Sequence, residues 1–209
     1  MSQFFVIHPG NPNLRLIRQA AQILRDGGIV VYPTDSSYAL GCHLDDKNAV
    51  TRIRQIRQLD ESHQLTLMCR DLSEISRYAR VDNSKFRLLK NNTPGSYTFI
   101  LEATKEVPRR LQHPKRSTIG IRVPDHPVAL ALLEELGEPM CSSTLILPDE
   151  EALLNDAEHI RDLLEKQVEL VIDGGPPGLD FTTVIDLTGD VPVVLRRGKG
   201  EIKHFGIEE

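Results

Sequence analysis

The sequence predicts an α/β domain built on a mixed sheet covered by helices, and three observations carry that prediction. Segments of helical spacing and short apolar strand-like runs alternate along the whole chain. No repeat period and no low-complexity linker interrupts them. The runs Thr182 to Leu187 and Val193 to Arg196 are joined by Thr188-Gly189-Asp190 as a hairpin, which makes the sheet mixed rather than purely parallel. At 209 residues, one large domain or two small ones are open, and the chain is long enough to bury a substantial core.

Asn11 and Pro12 are read as the cap and first residue of a helix, because Asn accepts from free N–H groups and Pro lacks one. Leu16, Ile17, Ala20, Ile23 and Leu24 recur at helical spacing, and Gly27-Gly28 stops the element. A strand at Ile29 to Tyr32 follows, then the turn Pro33-Thr34-Asp35-Ser36-Ser37, then a return strand from Tyr38. Asp45-Asp46 precede a helix with the apolar seam Val50, Ile53, Ile56, and Arg54 and Arg57 share its polar side. Leu65 to Cys69 reads as a strand. Leu72 to Ala79 and Ser84 to Lys90 read as helices, and Asn91 to Gly95 as a loop. Strands are expected at Tyr97 to Leu101, Thr118 to Val123, Met140 to Thr144 and Val168 to Asp173. Helices are expected at Val128 to Leu136, behind His126-Pro127, and at Asn155 to Lys166.

Composition removes several function classes. No apolar run approaches the ~20 residues of a membrane span, and MSQFFVIHPG has neither the basic nor the apolar part of a signal peptide. The 3 cysteines are odd in number and unpaired in spacing, which fits a reducing cytoplasm. The 7 histidines show no metal-binding spacing. Net charge is −5, against a dedicated nucleic-acid protein, yet Arg109, Arg110, Lys115, Arg116 and Arg197 are read as one basic face.

Chemistry is expected at strand ends that carry hydroxyls or arginines. These are the turn after Tyr32, the end of Thr118-Ile119-Gly120-Ile121-Arg122, the run Met140-Cys141-Ser142-Ser143-Thr144, the pair Thr182-Thr183, and the pair Arg196-Arg197. Hydroxyls and guanidinium forks at the mouth of a sheet suit phosphate or carboxylate. Neither a Walker lysine loop nor a GxGxxG turn is present, so a nucleotide needs another scheme. Cys141-Ser142 lacks the glycines of a nucleophile elbow, and Cys69 reads as a packed thiol.

In order, YPTDSSYALG, Ile56-Arg57-Gln58-Leu59, NNTPGSYTFIL, TIGIRVPDHP, EPMCSST, TTVIDL and VLRRG resemble the YrdC/YciO family, and its YciO branch most, over about Leu16 to Gly198. The resemblance implies one domain at 12–200, flanked by extensions at 1–11 and 201–209. Its fold would be a large twisted mixed sheet with a concave electropositive cleft. The implied reaction is that of an L-threonylcarbamoyladenylate synthase. Threonine, bicarbonate and ATP give threonylcarbamoyl-AMP and pyrophosphate, ATP arriving with Mg²⁺ and no cofactor tightly bound; other enzymes then modify tRNA. By the same resemblance Thr34 and Arg57 are catalytic, Thr34, Tyr38 and Arg122 hold the amino acid, and Arg57, Thr144, Thr182, Thr183 and Arg196 hold the nucleotide.

Two departures matter. The family's K-x-R motif falls on Arg57-Gln58-Leu59, followed by Asp60 where Pro is usual. Its S-x-N motif falls on Thr144-Leu145-Ile146. Each lost charge-assisted contact to a triphosphate costs ~2–4 kcal/mol, about 30- to 1000-fold in rate. Reduced synthase activity is therefore expected, unless Arg54, His63 or Arg197 supplies a compensating cation. The alternative is a non-catalytic module that binds double-stranded RNA through the same basic cleft.

Overall fold

In this computed structural model, which describes residues 1–207, the chain enters the sheet at its third residue. The strands are β1 (Gln3–Val6), β2 (Val30–Pro33), β3 (Tyr38–His43), β4 (Thr66–Met68), β5 (Tyr97–Glu102), β6 (Thr118–Arg122), β7 (Met140–Thr144), β8 (Leu170–Asp173), β9 (Thr183–Asp186) and β10 (Val193–Arg196). The helices are α1 (Leu14–Arg25), α2 (Lys47–Arg57), α3 (Leu72–Tyr78), α4 (Asn83–Asn92), α5 (Pro127–Leu136) and α6 (Ala157–Leu164). All ten strands join one mixed sheet in the order β1-β8-β2-β3-β7-β4-β6-β5-β9-β10. The segment 1–11 supplies an edge strand, β1, parallel to β8.

Most expected elements form, with three differences. Helix α1 starts at Leu14, because the Asn13 side chain accepts from the N–H of Arg15 and Leu16; Asn11 and Pro12 lie before it. Asn91 and Asn92 belong to α4 rather than to a loop. There Asn92 Nδ2 and Thr93 Oγ1 donate to the carbonyls of Leu88 and Leu89, each at 2.7 Å, and satisfy the helix end. β1 was not foreseen, since a four-residue edge strand shows too little alternation to register.

Alternation along the strands divides the core in two. One face carries Tyr38, Leu40, Cys42, Leu67, Phe99, Ile119, Ile121, Cys141 and Ile185, packed with residues of α2, α3, α4 and α6 and with Phe205. The other carries Val30, Tyr32, Ala39, Met68, Met140, Leu170 and Ile172, packed with α1 and α5. Those two helices cover the β1-β8-β2-β3 end of that face and reach as far as Met140 of β7 and Met68 of β4. Beyond them the same face continues as Ser142 and Thr144, Thr66, Gly120 and Arg122, Thr98 and Ile100, Val184 and Arg196, following the register of the paired strands.

The turn between β2 and β3 is tied to four other segments through Asp35. Its carboxylate pairs with Arg122 at the end of β6 and accepts from Ser96 Oγ before β5 and from the Asp125 N–H at 3.1 Å. Its carbonyl accepts from Lys199 Nζ. Burial pushes the Asp35 carboxyl up, but Arg122 and the hydrogen bonds outweigh that and hold it below its ordinary value.

The segment after β10 is stitched on in the same way. Thr183 Oγ1 donates to the Gly200 carbonyl and accepts from the Gly198 N–H, and Tyr97 donates to the Glu201 carbonyl at 2.8 Å. Phe205 lies edge-on to Tyr97, ring centroids 5.4 Å apart. Gly198 sits directly on the backbone of Phe181 and Thr182, with no room for a Cβ, whereas a Cβ at Gly120 meets its neighbours at 3.4–3.6 Å.

Two stability predictions follow from these ties. Asp35→Asn leaves the Arg122 charge buried without its counter-ion and costs about 3–5 kcal/mol at pH 7, measured by urea unfolding. Because the native carboxyl is depressed, its contribution is complete above the unfolded value near 3.8 and is lost as pH falls through the native value. The gap between wild type and variant should therefore close below about pH 4; a gap constant down to pH 3 contradicts the assignment. Gly198→Ala should cost about 1–3 kcal/mol by overpacking, while Gly120→Ala changes stability by less than about 0.5 kcal/mol. Equal unfolding midpoints for the two glycine variants would refute the tight seating of Gly198.

Candidate functional site

Part of one sheet face is left bare by α1 and α5, and it carries small or hydroxylated residues together with Ile100, Val184 and two arginines. Two adjoining cavities lie over it. One, ≈30 Å³, is lined by Ser37, Ala39, Thr66, Met68, Thr98, Arg122, Ser142, Ser143, Thr144 and Thr182. The second, ≈280 Å³ and open to solvent, shares Thr66, Thr98, Ser142, Ser143, Thr144 and Thr182 and adds Arg57, His63, Gln64, Leu65, Ile100, Gly120, Ile146, Phe181, Val184 and Arg196. The lining of both contains guanidiniums and hydroxyls and no carboxylate, so the cleft favours an anion.

Arg122 stands at the narrow end, held by Asp35, and its Nε is buried with no hydrogen-bond partner among the described residues. At the wide end, Arg57 reaches from α2 to donate to Ser143 Oγ and to the Ile146 carbonyl. From the far wall Arg196 donates to the Thr182 carbonyl at 3.1 Å and to Thr182 Oγ1 at 3.0 Å, with its guanidinium over the Phe181 ring. Between them, Thr98 and Thr182 share a hydrogen bond of 2.8 Å. Tyr32 crosses β3 above Gly41, where a Cβ would strike its ring, to bond Ser142 Oγ at 2.6 Å. Burial pushes the Tyr32 phenol up, so it stays protonated.

The structure brings Arg57, Arg122, Thr144, Thr182 and Arg196 together in the cleft, as the sequence led us to expect. Three other residues lie outside its lining, and their hydroxyls are committed elsewhere. Thr34 Oγ1 donates to the Ser37 carbonyl at 2.6 Å and accepts from the N–H groups of Ser36 and Ser37, so it closes the turn between β2 and β3. Tyr38 points into the opposite core and donates to the Gly175 carbonyl at 3.3 Å. Thr183 faces that core too and anchors the segment after β10.

Sequence reasoning missed Ser37, Thr66, Thr98 and the floor position Gly120. The available signal was slight: β7 alone repeats small polar residues at alternate positions, Ser142 and Thr144, while β4 and β5 carry one each on that face, Thr66 and Thr98. The five cations read as one basic face do not form one. Arg109, Arg110, Lys115 and Arg116 lie in the β5–β6 connection beyond the Glu102–Thr118 pair, while Arg197 lies at the other end of β5, beside the Tyr97–Thr183 pair. Arg110 is also engaged, donating to the Leu44 carbonyl at 2.8 Å. Among the described residues no cluster of His, Cys, Asp and Glu is arranged to hold a metal ion, and no helix is long and apolar enough to cross a membrane.

Comparison with known proteins bears on the whole of this framework. YciO of Escherichia coli (strain K12) is 64% identical over 205 residues, covering 98% of this chain and 100% of that one. The crystal structure of E. coli YciO superposes with a TM-score of 0.94. Threonylcarbamoyl-AMP synthase of Bacillus subtilis (strain 168) is 32% identical over 184 residues, which is 87% of this chain and 53% of that protein. The structure of Pyrococcus abyssi Sua5 complexed with L-threonine aligns at TM-score 0.86 and 28% identity, covering 94% of this chain and 58% of that one. The sequence model named for Sua5, YciO and YrdC, described as telomere recombination, matches residues 22–198. That match spans the strands that carry the cleft, from β2 to β10, and with these relatives it makes the chain a member of the Sua5/YciO/YrdC family, related to threonylcarbamoyl-AMP synthase.

Proposed function

We propose that the cleft binds ATP beside a small α-amino acid and forms a carbamoyl-adenylate from them with bicarbonate, at a rate below that of proficient threonylcarbamoyl-AMP synthases. The observation that carries this reading is Arg122, a buried guanidinium fixed by Asp35 with Nε left unmatched at the closed end of an anion-favouring cleft. An unpaired buried donor costs ~1–3 kcal/mol, which an arriving carboxylate recovers. The P. abyssi relative solved with L-threonine supports an amino acid as the occupant. Arg57 and Arg196, on facing walls of the wider cavity, suit the phosphates of a nucleotide. Thr66 and Thr144 have no side-chain partner among the described residues, so their hydroxyls are available to it. ATP would bring Mg²⁺ on its phosphates.

The reaction asks the protein mainly for positioning and charge neutralisation. The amino group adds to carbon dioxide or bicarbonate, and the carbamate oxygen then attacks the α-phosphorus as pyrophosphate leaves. Slowness follows from two positions, one in the cleft wall and one outside it. Ile146 lines the cleft but offers only its backbone carbonyl, to Arg57. Leu59 does not face the cleft at all. It packs against the main core, so an arginine placed there would need the loop to refold before reaching a phosphate.

Pyrophosphate release from ATP, threonine and bicarbonate, assayed beside the B. subtilis synthase, tests the reading. Turnover should be measurable and at least about tenfold lower. Ile146→Asn should raise it, and Arg196→Ala should weaken ATP binding about tenfold. Parity with the synthase removes the claim of weakened catalysis. Tight, salt-sensitive binding of duplex RNA without any binding of ATP would favour the RNA reading, which has lost its single basic face.

A further inference from the structure

The loop after α2 is heavily bonded for a surface segment. Gln58 ends the helix in the left-handed region, φ 53°, and Leu59 turns into the core. Arg54 then spends its guanidinium on the carbonyls of Asp60 and His63. Asp60 spends its carboxylate on Ser62 Oγ and on the N–H groups of Ser62 and His63, at 2.8 and 3.0 Å. Two charged side chains are thus consumed in holding the backbone of one residue from both sides. That residue is His63, whose imidazole makes no side-chain hydrogen bond among the described residues and lines the wide cavity beside Arg57.

We propose that His63 is the second phosphate-binding group of the cleft, standing in space where the residue at Leu59 fails to deliver a charge. This rests on the nucleotide reading above. Arg57 on α2, His63 on the loop and Arg196 on β10 then surround one anion from three walls. The charged groups facing the imidazole are Arg57 and Arg54 from α2 and Asp60 from its own loop. Partial burial, Arg57 and Arg54 push its pKa down in that order, against Asp60, so the free protein holds it neutral near pH 7. A polyphosphate brought against it reverses the balance and draws a proton onto the ring. Binding should therefore take up a proton at this residue and tighten as pH falls.

Calorimetric titration with MgATP at pH 6.5 and pH 8, in buffers of different ionisation enthalpy, reads both effects. Wild type, His63→Asn and His63→Arg are compared, because the nucleotide's own proton equilibria are common to all three. His63→Asn should bind about tenfold more weakly at pH 6.5 and converge on wild type at pH 8, with less proton uptake. His63→Arg should bind tightly with the same reduced uptake. His63 is exposed overall and its partly covered ring makes no side-chain hydrogen bond among the described residues, so the melting temperatures should agree, which separates binding from folding. Equal affinity and equal proton uptake in wild type and His63→Asn, with ATP still bound in an Arg196-dependent way, overturns this assignment alone. Absence of ATP binding in all three overturns the nucleotide reading with it.

Discussion

The buried ion pair between Asp35 and Arg122 is the constraint on which the rest of the site depends. An arginine on a central strand, pointing to a face with no helix over it, must be neutralised or remain in water. Asp35 does the first, and it needs the turn between β2 and β3 to be held open and in place. Thr34 performs that service, with its hydroxyl closing the turn onto Ser36 and Ser37. The same carboxylate-bearing residue fixes Ser96, Asp125 and Lys199. The closed end of the cleft is thus set by the requirement that one guanidinium be both buried and positioned, before any ligand is considered.

The cleft itself is a consequence of incomplete covering. Sheets bury both faces when helices are long enough or numerous enough to span them. Here α1 and α5 lie against β8, β2 and β3, and the sheet continues for several strands past them. Apolar side chains on that uncovered half would expose a sticky surface. Beside Ile100 and Val184, the strands carry Thr66, Thr98, Gly120, Ser142 and Thr144, small enough to leave a hollow and mostly polar enough to face water. Small side chains over a continuous strand floor give a rigid concavity without a cost in sheet hydrogen bonds.

Much of this was legible in the sequence, and the failures share one cause. Alternating segments gave the architecture because periodicity is local. Arg57, Arg122, Thr144, Thr182 and Arg196 fell into the cleft because strand ends and helix ends announce themselves. Thr34, Tyr38 and Thr183 did not, because a hydroxyl's availability depends on which carbonyl sits beside it. For Tyr38 that carbonyl is Gly175 and for Thr183 it is Gly200, both remote in the chain. Thr182 and Thr183 show the point sharply. Adjacent and chemically identical, they lie on opposite faces of the sheet, one bonded to Arg196 in the cleft and the other tying down the segment after β10.

The motif departures look different once the loop at 58–64 is seen folded. Position by position, the chain has exchanged a charge for Leu59 and added Asp60. In space, Leu59 is a partly buried residue packed against the core, and Asp60 stands outside the cleft lining, bonded to Ser62 and to the backbone of His63. Three local donors hold the Asp60 carboxyl below its ordinary value, so it stays ionised while it braces the loop. What the exchange leaves in the cleft wall is an imidazole. A guanidinium is charged at every physiological pH, and an imidazole is charged only when its surroundings favour it. On the nucleotide reading proposed above, replacing one by the other makes that end of the cleft responsive to the charge that enters it, and this alters the kind of binding site as well as its strength.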